Sequence, residues 1–226
     1  MDNAATWLKK SLDYEFRDRG LLERALTHRS AGGPNNERLE FLGDAVLELV
    51  ISDAVFSRKP DAGEGALSRL RSALVKDSTL ANVATAVGIG EHLVLGSGEK
   101  KTGGHHRASI LADALEAIFG AVYLDSGIDA AKMVIHRALG DRLDTLPDPE
   151  TLRDPKSRLQ EYLQARQIGL PEYSVDKVSG KAHQQTFEVS CAIPELDICT
   201  LGVGASRRKA EQAAALAMLG HFGERD

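Results

Sequence analysis

The sequence contains little cysteine, and its two cysteines, Cys191 and Cys199, are too few for a disulfide framework. Neither has histidine or cysteine neighbours at the spacing of zinc ligands, which excludes a structural zinc site of the usual kind. No apolar run approaches the roughly 18 residues of a membrane-spanning helix, and residues 1–10 lack the pattern of a secretory signal. We therefore expect a cytoplasmic protein with no membrane partner.

A glycine-rich phosphate loop ending in Gly-Lys-Ser or Gly-Lys-Thr is also missing, so no nucleotide cofactor is expected. The net charge of −5 would ordinarily argue against a nucleic-acid partner, because lysine and arginine provide the affinity for phosphate. The acidic excess is local, however. Residues 1–150 carry 18 Lys and Arg against 23 Asp and Glu, whereas residues 151–226 carry 10 of each.

The apolar pattern changes along the chain and predicts two domains. Residues 1–146 have the 3.6-residue period of helices, with no strand-like alternation, and we predict an all-α domain there. Three prolines between residues 147 and 155 predict a flexible linker at 147–154. Residues 155–226 predict a small α+β domain with the order α-β-β-β-α.

The individual elements follow from the same periodicity. Helices are predicted at residues 21–27, 37–56, 64–76, 78–87, 109–125 and 129–143, with a polar loop at 96–104. In the second domain, helices are predicted at 156–167 and 206–219, and strands at 173–178, 187–193 and 198–203.

Acidic residues lie on one stripe of the predicted helix that begins at residue 37. Glu37, Glu40 and Asp44 have the spacing i, i+3 and i+7, and Asp113 and Glu116 repeat the i, i+3 spacing in a second apolar helix. A solvated helix face is the ordinary alternative for any single pair of this kind. Two such pairs in strongly apolar helices favour a cluster in which the two stripes face each other.

A cluster of four carboxylates needs a compensating cation. Two carboxylates about 5 Å apart repel by roughly 3 kcal/mol at an effective dielectric constant of about 20. Large pKa shifts, several basic partners or a divalent metal could stabilise such a group. If a metal does so, an all-oxygen set of ligands favours Mg²⁺, with Mn²⁺ as a substitute.

Residues 36–44 (Asn-Glu-Arg-Leu-Glu-Phe-Leu-Gly-Asp) resemble the signature of the ribonuclease III endonuclease domain. Residues 109–116 resemble the second acidic helix of that family, and residues 154–219 resemble the double-stranded RNA-binding domain of its bacterial members. The resemblance implies an endoribonuclease that cuts double-stranded RNA and leaves 5′ phosphates, 3′ hydroxyls and short 3′ overhangs. It also implies the processing of ribosomal-RNA precursors and structured messenger RNAs.

The resemblance assigns roles to individual acids. Glu40, Asp44, Asp113 and Glu116 match the metal ligands, and Asp44 and Glu116 also match catalytic residues. The resemblance implies two further catalytic acids, Glu37 at the edge of the active site and Glu64 near the subunit boundary. For both of these, an ordinary exposed acid near an arginine is the alternative.

The resemblance further implies a homodimer in which Phe41 packs into the partner, whereas burial within its own subunit is the alternative. It places RNA contacts at Ser157, Gln160, Glu161, His183, Arg207 and Arg208. Glu211 occupies a position that is usually basic in the family, and we interpret it as part of a solvated helix face. The alternative function is a double-stranded RNA-binding regulator without cleavage activity, which the loss of a metal ligand would favour; no ligand position is missing.

Overall fold

The structure is a computed structural model that describes residues 2–181 and 184–223. Contacts between residues divide the chain into two compact units, Met1–Pro149 and Glu150–Asp226. Within the described residues, no helix is both long enough and apolar enough to cross a membrane.

The first unit is helical, as the apolar periodicity predicts. Its helices are α1 (Asp2–Leu12), α2 (Arg19–Ala25), α3 (Glu37–Arg58), α4 (Glu64–Val75), α5 (Asp77–Val87), α6 (Ser97–Lys101) and α7 (Ala108–Asp144). Short 3-10 helices lie at Arg29–Ala31, Ile89–His92 and Gly104–His106. Helices α3 and α7 form the central pair, and α5 packs against α7. Leu47 and Ile51 of α3 and Leu115 and Phe119 of α7 are fully buried in this core.

Two glycines allow α3 and α7 to cross at backbone contact. A Cβ atom on Gly43 would lie 1.8 Å from the carbonyl oxygen of Glu116, and one on Gly120 would lie 2.2 Å from that of Leu39. Any side chain at either position would therefore force the helices apart. Because the contact is this close, the acidic stripes of α3 and α7 meet beside it.

Two local features differ from the predicted elements, and a third agrees with them. Helix α1 was not predicted; it is held by its buried Leu8 and Leu12 and by Trp7, whose Nε1 donates to the Val87 carbonyl oxygen at 2.8 Å. The predicted loop at 96–104 contains α6, so that prediction was wrong. Between the predicted helices at 109–125 and 129–143, Gly127 interrupts α7 with φ 81° and ψ −174°.

The second unit has the predicted order α-β-β-β-α. Its elements are α8 (Pro155–Gln164), β1 (Glu172–Ser179), β2 (Thr186–Ile193), β3 (Ile198–Gly204) and α9 (Arg207–His221), with a 3-10 helix at Pro194–Leu196. The strands form an antiparallel sheet in the order β1-β2-β3. Leu159 and Leu163 of α8, Cys191 and Ile193 of β2 and Met218 of α9 share one buried core.

Asp154 lies in the predicted linker and makes the N-terminal cap of α8. Its Oδ1 accepts hydrogen bonds from the backbone N–H groups of Lys156 and Ser157 at 2.9 and 3.3 Å. Gln212 of α9 donates to its other carboxylate oxygen at 2.7 Å. Asp154 thus ties the first and last helices of the second unit together, while the flexibility of the remaining linker residues stays a prediction.

Candidate metal centre and nucleic-acid interface

Three acids from α3 and α7 converge where the helices cross. Glu40 of α3 and Asp113 and Glu116 of α7 each have a carboxylate oxygen within 4.8 Å of the others. All three side chains are half-buried. Helical spacing places Glu116 one turn from Asp113, and the glycine contact brings Glu40 across to both.

Burial and mutual repulsion raise the pKa values of these acids. The pKa of Glu116 rises to about 8, chiefly because burial removes water from the carboxylate, and then because Asp44, Glu40 and Asp113 add negative charge. Burial likewise raises the pKa of Glu40, with Asp113 as the largest neighbouring charge. In the absence of a cation, the cluster therefore retains a proton at neutral pH.

Asp44 lies at the edge of this cluster. Its side chain is exposed, and it is not among the three acids whose oxygens approach within 4.8 Å. Its charge is nevertheless the strongest of those that raise the pKa of Glu116. The structure thus gathers three of the four predicted metal ligands and leaves the fourth beside them.

The composition of the cluster fits a hard divalent cation. All three gathered acids offer carboxylate oxygens, the atoms that Mg²⁺ and Mn²⁺ prefer as ligands. His28 and Arg29 lower the pKa of Asp113, but burial and the charge of Asp77 outweigh them and the net shift is upward. The nearby basic side chains are thus insufficient to stabilise the fully charged cluster, and a bound cation would do so.

A cleft of about 440 Å³ opens beside Glu40 and Asp113. The other residues that line it are His28, Arg29, Ser30, Asn36, Glu37, Glu99, Arg107, Ser109 and Ile110. Two of its cations already have partners. Arg29 lies 3.5 Å from Glu37, and Arg107 contacts both carboxylate oxygens of Glu99 at 2.9 and 3.0 Å.

The two additional predicted acids lie in different places. Glu37 lines the acidic cleft and is exposed, with Arg29 as its partner. Glu64 begins α4 and lines a separate depression with Phe56 and Arg71. The single chain therefore brings Glu37 near the cluster and leaves Glu64 away from it.

The sequence-based prediction missed His28 and Asp77. Asp77 is the first residue of α5, and its charge raises the pKa of both Asp113 and Glu116. His28 precedes the 3-10 helix Arg29–Ala31 and lines the cleft. Neither lies on a periodic acidic stripe. The sequence indicates His28 only by a polar run at 27–30, and Asp77 only as an acid in the first turn of a helix.

Phe41 lies outside the core of its own chain. Its side chain is 80% exposed, so the alternative that it is buried within its own subunit is wrong. Leu49 and Phe56 follow it at intervals of eight and seven residues along α3 and are 61% and 69% exposed. Together, Phe41, Leu49 and Phe56 form what we call the α3 apolar stripe.

The predicted RNA-contacting residues in the second unit are on its surface. Ser157, Gln160 and Glu161 are exposed on α8, and Arg207 and Arg208 are exposed in the first turn of α9. Glu161 pairs with Arg153, and Arg208 lies 4.0 Å from Asp154. His183 lies outside the described residues.

The interpretation of Glu211 as part of a solvated helix face was wrong. Glu211 is only 9% exposed, and its carboxylate accepts from Lys156 Nζ at 2.5 Å and from Arg207 Nε at 2.8 Å. The ion pairs with Lys156 and then Arg207 lower its pKa. Glu211 is therefore an internal counterion that holds one basic residue of α8 and one of α9.

Comparison with known proteins identifies both units. A family model described as Ribonuclease-III-like matches residues 18–143, and a model described as Double-stranded RNA binding motif matches residues 155–221. Ribonuclease 3 of Nitrosococcus oceani is 54% identical over 210 residues, which are 92% of this chain and 90% of that protein. Ribonuclease 3 of Pseudomonas aeruginosa is 52% identical over 219 residues, covering 97% and 96% of the two chains.

The helical unit is also similar to a solved structure. The nuclease domain of ribonuclease III from Campylobacter jejuni matches with a TM-score of 0.61 and 42% identity, over 65% of this chain and all of that one. The sequence matches extend across both units and nearly the full length of the relatives. The chain therefore belongs to the ribonuclease III family.

Proposed function

We propose that this chain is an endoribonuclease that hydrolyses phosphodiester bonds in double-stranded RNA, with Mg²⁺ as its cofactor and Mn²⁺ as a substitute. The convergence of carboxylate oxygens from Glu40, Asp113 and Glu116 within 4.8 Å is the observation that carries the proposal. The double-stranded RNA-binding motif at residues 155–221 supports the choice of substrate. Relatives named Ribonuclease 3 along most of the chain support the reaction class.

Glu40, Asp44, Asp113 and Glu116 would hold the cation through their carboxylate oxygens. When bound, a divalent cation supplies charge stabilisation to phosphoryl oxygens and lowers the pKa of water. Because burial raises the pKa of Glu116 to about 8, this carboxyl group must release a proton before its oxygens can act as ligands. Cation binding should consequently tighten as the pH rises towards 8.

The proposed products follow from hydrolysis by water, with the 3′ oxygen as the leaving group. The RNA ends then carry 5′ phosphates and 3′ hydroxyls, and no protein nucleophile is required. In the second unit, the exposed polar residues of α8 would reach ribose 2′ hydroxyls, while Arg207 and Arg208 would contact phosphates at the start of α9. We also propose His183 as an RNA contact, on the basis of the family pattern.

We propose that the active enzyme is a homodimer and that the α3 apolar stripe lies in its interface. Burial of Phe41, 80% exposed in the single chain, would remove a large apolar surface from water. A solved nuclease domain of ribonuclease III from Campylobacter jejuni is described as having a region involved in dimer formation. A two-fold axis would present one acidic cluster to each strand of a duplex, which produces short 3′ overhangs when the two cuts are staggered.

The dimer also gives Glu64 a role. Glu64 lies beside Phe56, a member of the α3 apolar stripe, and would therefore sit near the subunit boundary. We assign Glu37 to the edge of the catalytic cleft that it lines. We propose ribosomal-RNA precursors and structured messenger RNAs as the natural substrates, and we propose that the reaction takes place in the cytoplasm.

The decisive experiment compares cleavage and binding of a long, perfectly paired RNA. The wild type should cut it in Mg²⁺, leave 5′ phosphates, and bind without cutting in Ca²⁺. Glu116→Ala should bind the RNA with similar affinity and cut at least about 100-fold more slowly, because it removes a ligand from the cluster.

Glu48→Ala is the control, since Glu48 is an exposed acid of α3, the helix that carries Glu40 and Asp44, and is not one of the three clustered acids. It should cut at the rate of the wild type. If the wild type binds duplex RNA in Mg²⁺ and never cuts it, the alternative of a regulator without cleavage activity replaces this proposal.

A further inference from the structure

The acidic cleft has a second wall that the metal site does not use. His28, Ser30 and Asn36, which we call the second wall, line the cleft together with Glu40 and Asp113. Arg29 and Arg107, which also line the cleft, pair with acids. The side chains of His28 and Asn36 provide further hydrogen-bond donors there. Such donors can bind the oxygens of a phosphate that lies beside the carboxylate cluster.

His28 is fixed in position by its own segment and by a neighbouring one. Its backbone N–H donates to the Val94 carbonyl oxygen at 3.0 Å, and Thr27 forms a parallel bridge with Val94. Gly96 packs against Ser30 so closely that a Cβ atom would lie 2.1 Å from the Ser30 carbonyl oxygen. The wall is therefore built in advance of substrate binding.

The hydrogen bonds of His28 also fix its tautomer. Its Nδ1 accepts from the backbone N–H of Ser30 at 3.2 Å and lies 2.8 Å from Ser30 Oγ. The Gly96 backbone N–H donates to the same hydroxyl at 3.0 Å. Since Nδ1 is an acceptor, the ring proton is on Nε2, which is the remaining donor of this residue.

Asn36 provides an independent observation at the same wall. It is 2% exposed, lines the cleft, and its Nδ2 has no hydrogen-bond partner. A buried amide donor without a partner lowers the stability of the fold, so its presence calls for an explanation other than folding. Its backbone N–H donates to the Thr27 carbonyl oxygen at 2.9 Å, which joins it to the His28 segment.

We propose that His28 Nε2 and the Asn36 side-chain amide form a phosphate-binding subsite that contacts non-bridging oxygens of the RNA backbone at the acidic cluster. The proposal rests on the endoribonuclease function above and adds two residues to its catalytic site. Both donors act on the phosphate whose charge grows during hydrolysis, so they contribute mainly to the transition state.

Two replacements of His28 separate its two nitrogens. His28→Asn keeps a polar group near Nδ1 for Ser30 and lacks the Nε2 donor, whereas His28→Gln can place an amide donor near Nε2. We expect His28→Asn to lower the single-turnover cleavage rate about 100-fold and His28→Gln to retain most of the activity. Duplex-RNA affinity in Ca²⁺, Mn²⁺ affinity and the thermal midpoint should match the wild type for both variants.

Asn36→Leu tests the amide by a different criterion. Leucine has the same number and branching of side-chain heavy atoms as asparagine and removes an unpartnered buried donor, so the thermal midpoint should stay constant or rise while the cleavage rate falls. A role in folding alone would instead lower the midpoint. If the Asn36→Leu enzyme cuts at the wild-type rate, Asn36 is not part of the subsite.

Sulfur-substituted RNA tests whether the ligand is a phosphate. If His28 contacts a non-bridging oxygen, the loss caused by His28→Asn should shrink when that oxygen is replaced by sulfur, a weak acceptor. An unchanged loss would overturn the assignment of the contact. If the wild type cuts and His28→Asn cuts equally well, only this subsite fails, whereas a wild type that does not cut refutes the endoribonuclease proposal itself.

Discussion

Glu116 is the residue whose charge depends most on what binds beside it. Burial and four neighbouring acids raise its pKa to about 8, so the cation-free folded protein binds a proton that the unfolded chain releases near pH 4.5. The stability gained from this proton is fully present below pH 4.5 and is lost as the pH rises through 8.

Glu116→Gln should therefore stabilise the cation-free protein at alkaline pH. Glutamine imitates the protonated acid, and we expect a gain of about 1–2 kcal/mol in the free energy of unfolding at pH 8.5, allowing for solvent at a half-buried site. Urea unfolding in a chelator at pH 5 and pH 8.5 measures the effect. The gain should be small at pH 5, and the exposed control Glu48→Gln should show no gain at either pH. A gain of equal size at both pH values would contradict the assigned titration.

The pKa of Glu211 is shifted in the opposite direction to that of Glu116, so the expected pH dependence of stability has the opposite sign. Its ion pairs lower its pKa, so the stability that it contributes is present above pH 4.5 and is lost as the pH falls through its lowered value. Glu211→Gln should destabilise the second unit by about 1–3 kcal/mol at pH 7, because it leaves Lys156 and Arg207 without their buried partner.

Glu188→Gln is the control for Glu211→Gln. It removes the exposed ion pair in which Glu188 lies 3.7 Å from Lys177, and it should lower the free energy of unfolding by less than about 1 kcal/mol. Chemical unfolding of the second unit at pH 7 and pH 3 measures the loss of stability in Glu211→Gln and in Glu188→Gln. Equal losses for both variants at pH 7 would show that burial of Glu211 contributes nothing.

The sequence was most informative for residues within a single helix. The spacing of Glu40 and Asp44, and that of Asp113 and Glu116, could be predicted because one helical period relates each pair. His28 and Asp77 could not, since they reach the cluster from separate segments of the chain. Glu211 was misinterpreted because its partner Lys156 is 55 residues away, and burial by a distant helix leaves no local pattern.

The contact between α3 and α7 is the element-level feature on which the cluster depends. Gly43→Ala would place a methyl group 1.8 Å from the Glu116 carbonyl oxygen, so the helices must separate or bend. We expect a loss of about 3 kcal/mol or more in unfolding free energy. Divalent-cation affinity should fall with it, because Glu40 moves away from Asp113 and Glu116.

Gly140→Ala is the control, since Gly140 is a glycine of α7, the helix that α3 crosses. No atom lies within 4 Å of a Cβ at Gly140, and alanine favours helix, so stability should rise by about 0.5–1 kcal/mol. Thermal unfolding and Mn²⁺ titration of both variants check the contrast. If Gly43→Ala behaves like Gly140→Ala, the close crossing is not required.

Element boundaries could be predicted where the apolar periodicity ends at a turn-forming or helix-breaking residue. The long helices and the three strands follow from apolar spacing, and the break in α7 follows from Gly127, whose positive φ favours glycine. Helix α1 was missed because its only three large apolar residues lie in a short segment rich in lysine. Helix α6 was missed because it has five polar or glycine residues, and packing of the loop determines its shape.

The whole molecule divides its charge between its two units. The acidic excess lies in residues 1–150, which hold the cluster, while residues 151–226 are balanced. RNA affinity in the absence of a divalent cation should therefore come mainly from the second unit. The sequence could predict this division because it needs only a count of residues, whereas the assembly of two subunits depends on exposure that the fold determines.

Phe41→Glu tests that assembly. Placing a charge on the α3 apolar stripe should convert the proposed dimer into a monomer and reduce double-strand cleavage about 100-fold or more, while RNA binding by the second unit continues. Leu201→Glu is the control, since Leu201 is 69% exposed on β3 and lies outside the stripe. Sedimentation velocity measures the mass of each variant, and a Phe41→Glu protein that remains a dimer contradicts the proposed interface.

The backbone contact between α3 and α7 also limits which genetic changes can rescue a defect there. A bulky substitution in most cores can be relieved by a smaller residue on the opposing element. Gly43 faces the backbone of α7 beside Gly120, and no amino acid is smaller than glycine. A selection for suppressors of Gly43→Ala should consequently return reversions of the original codon, with no compensating change at the opposing helix.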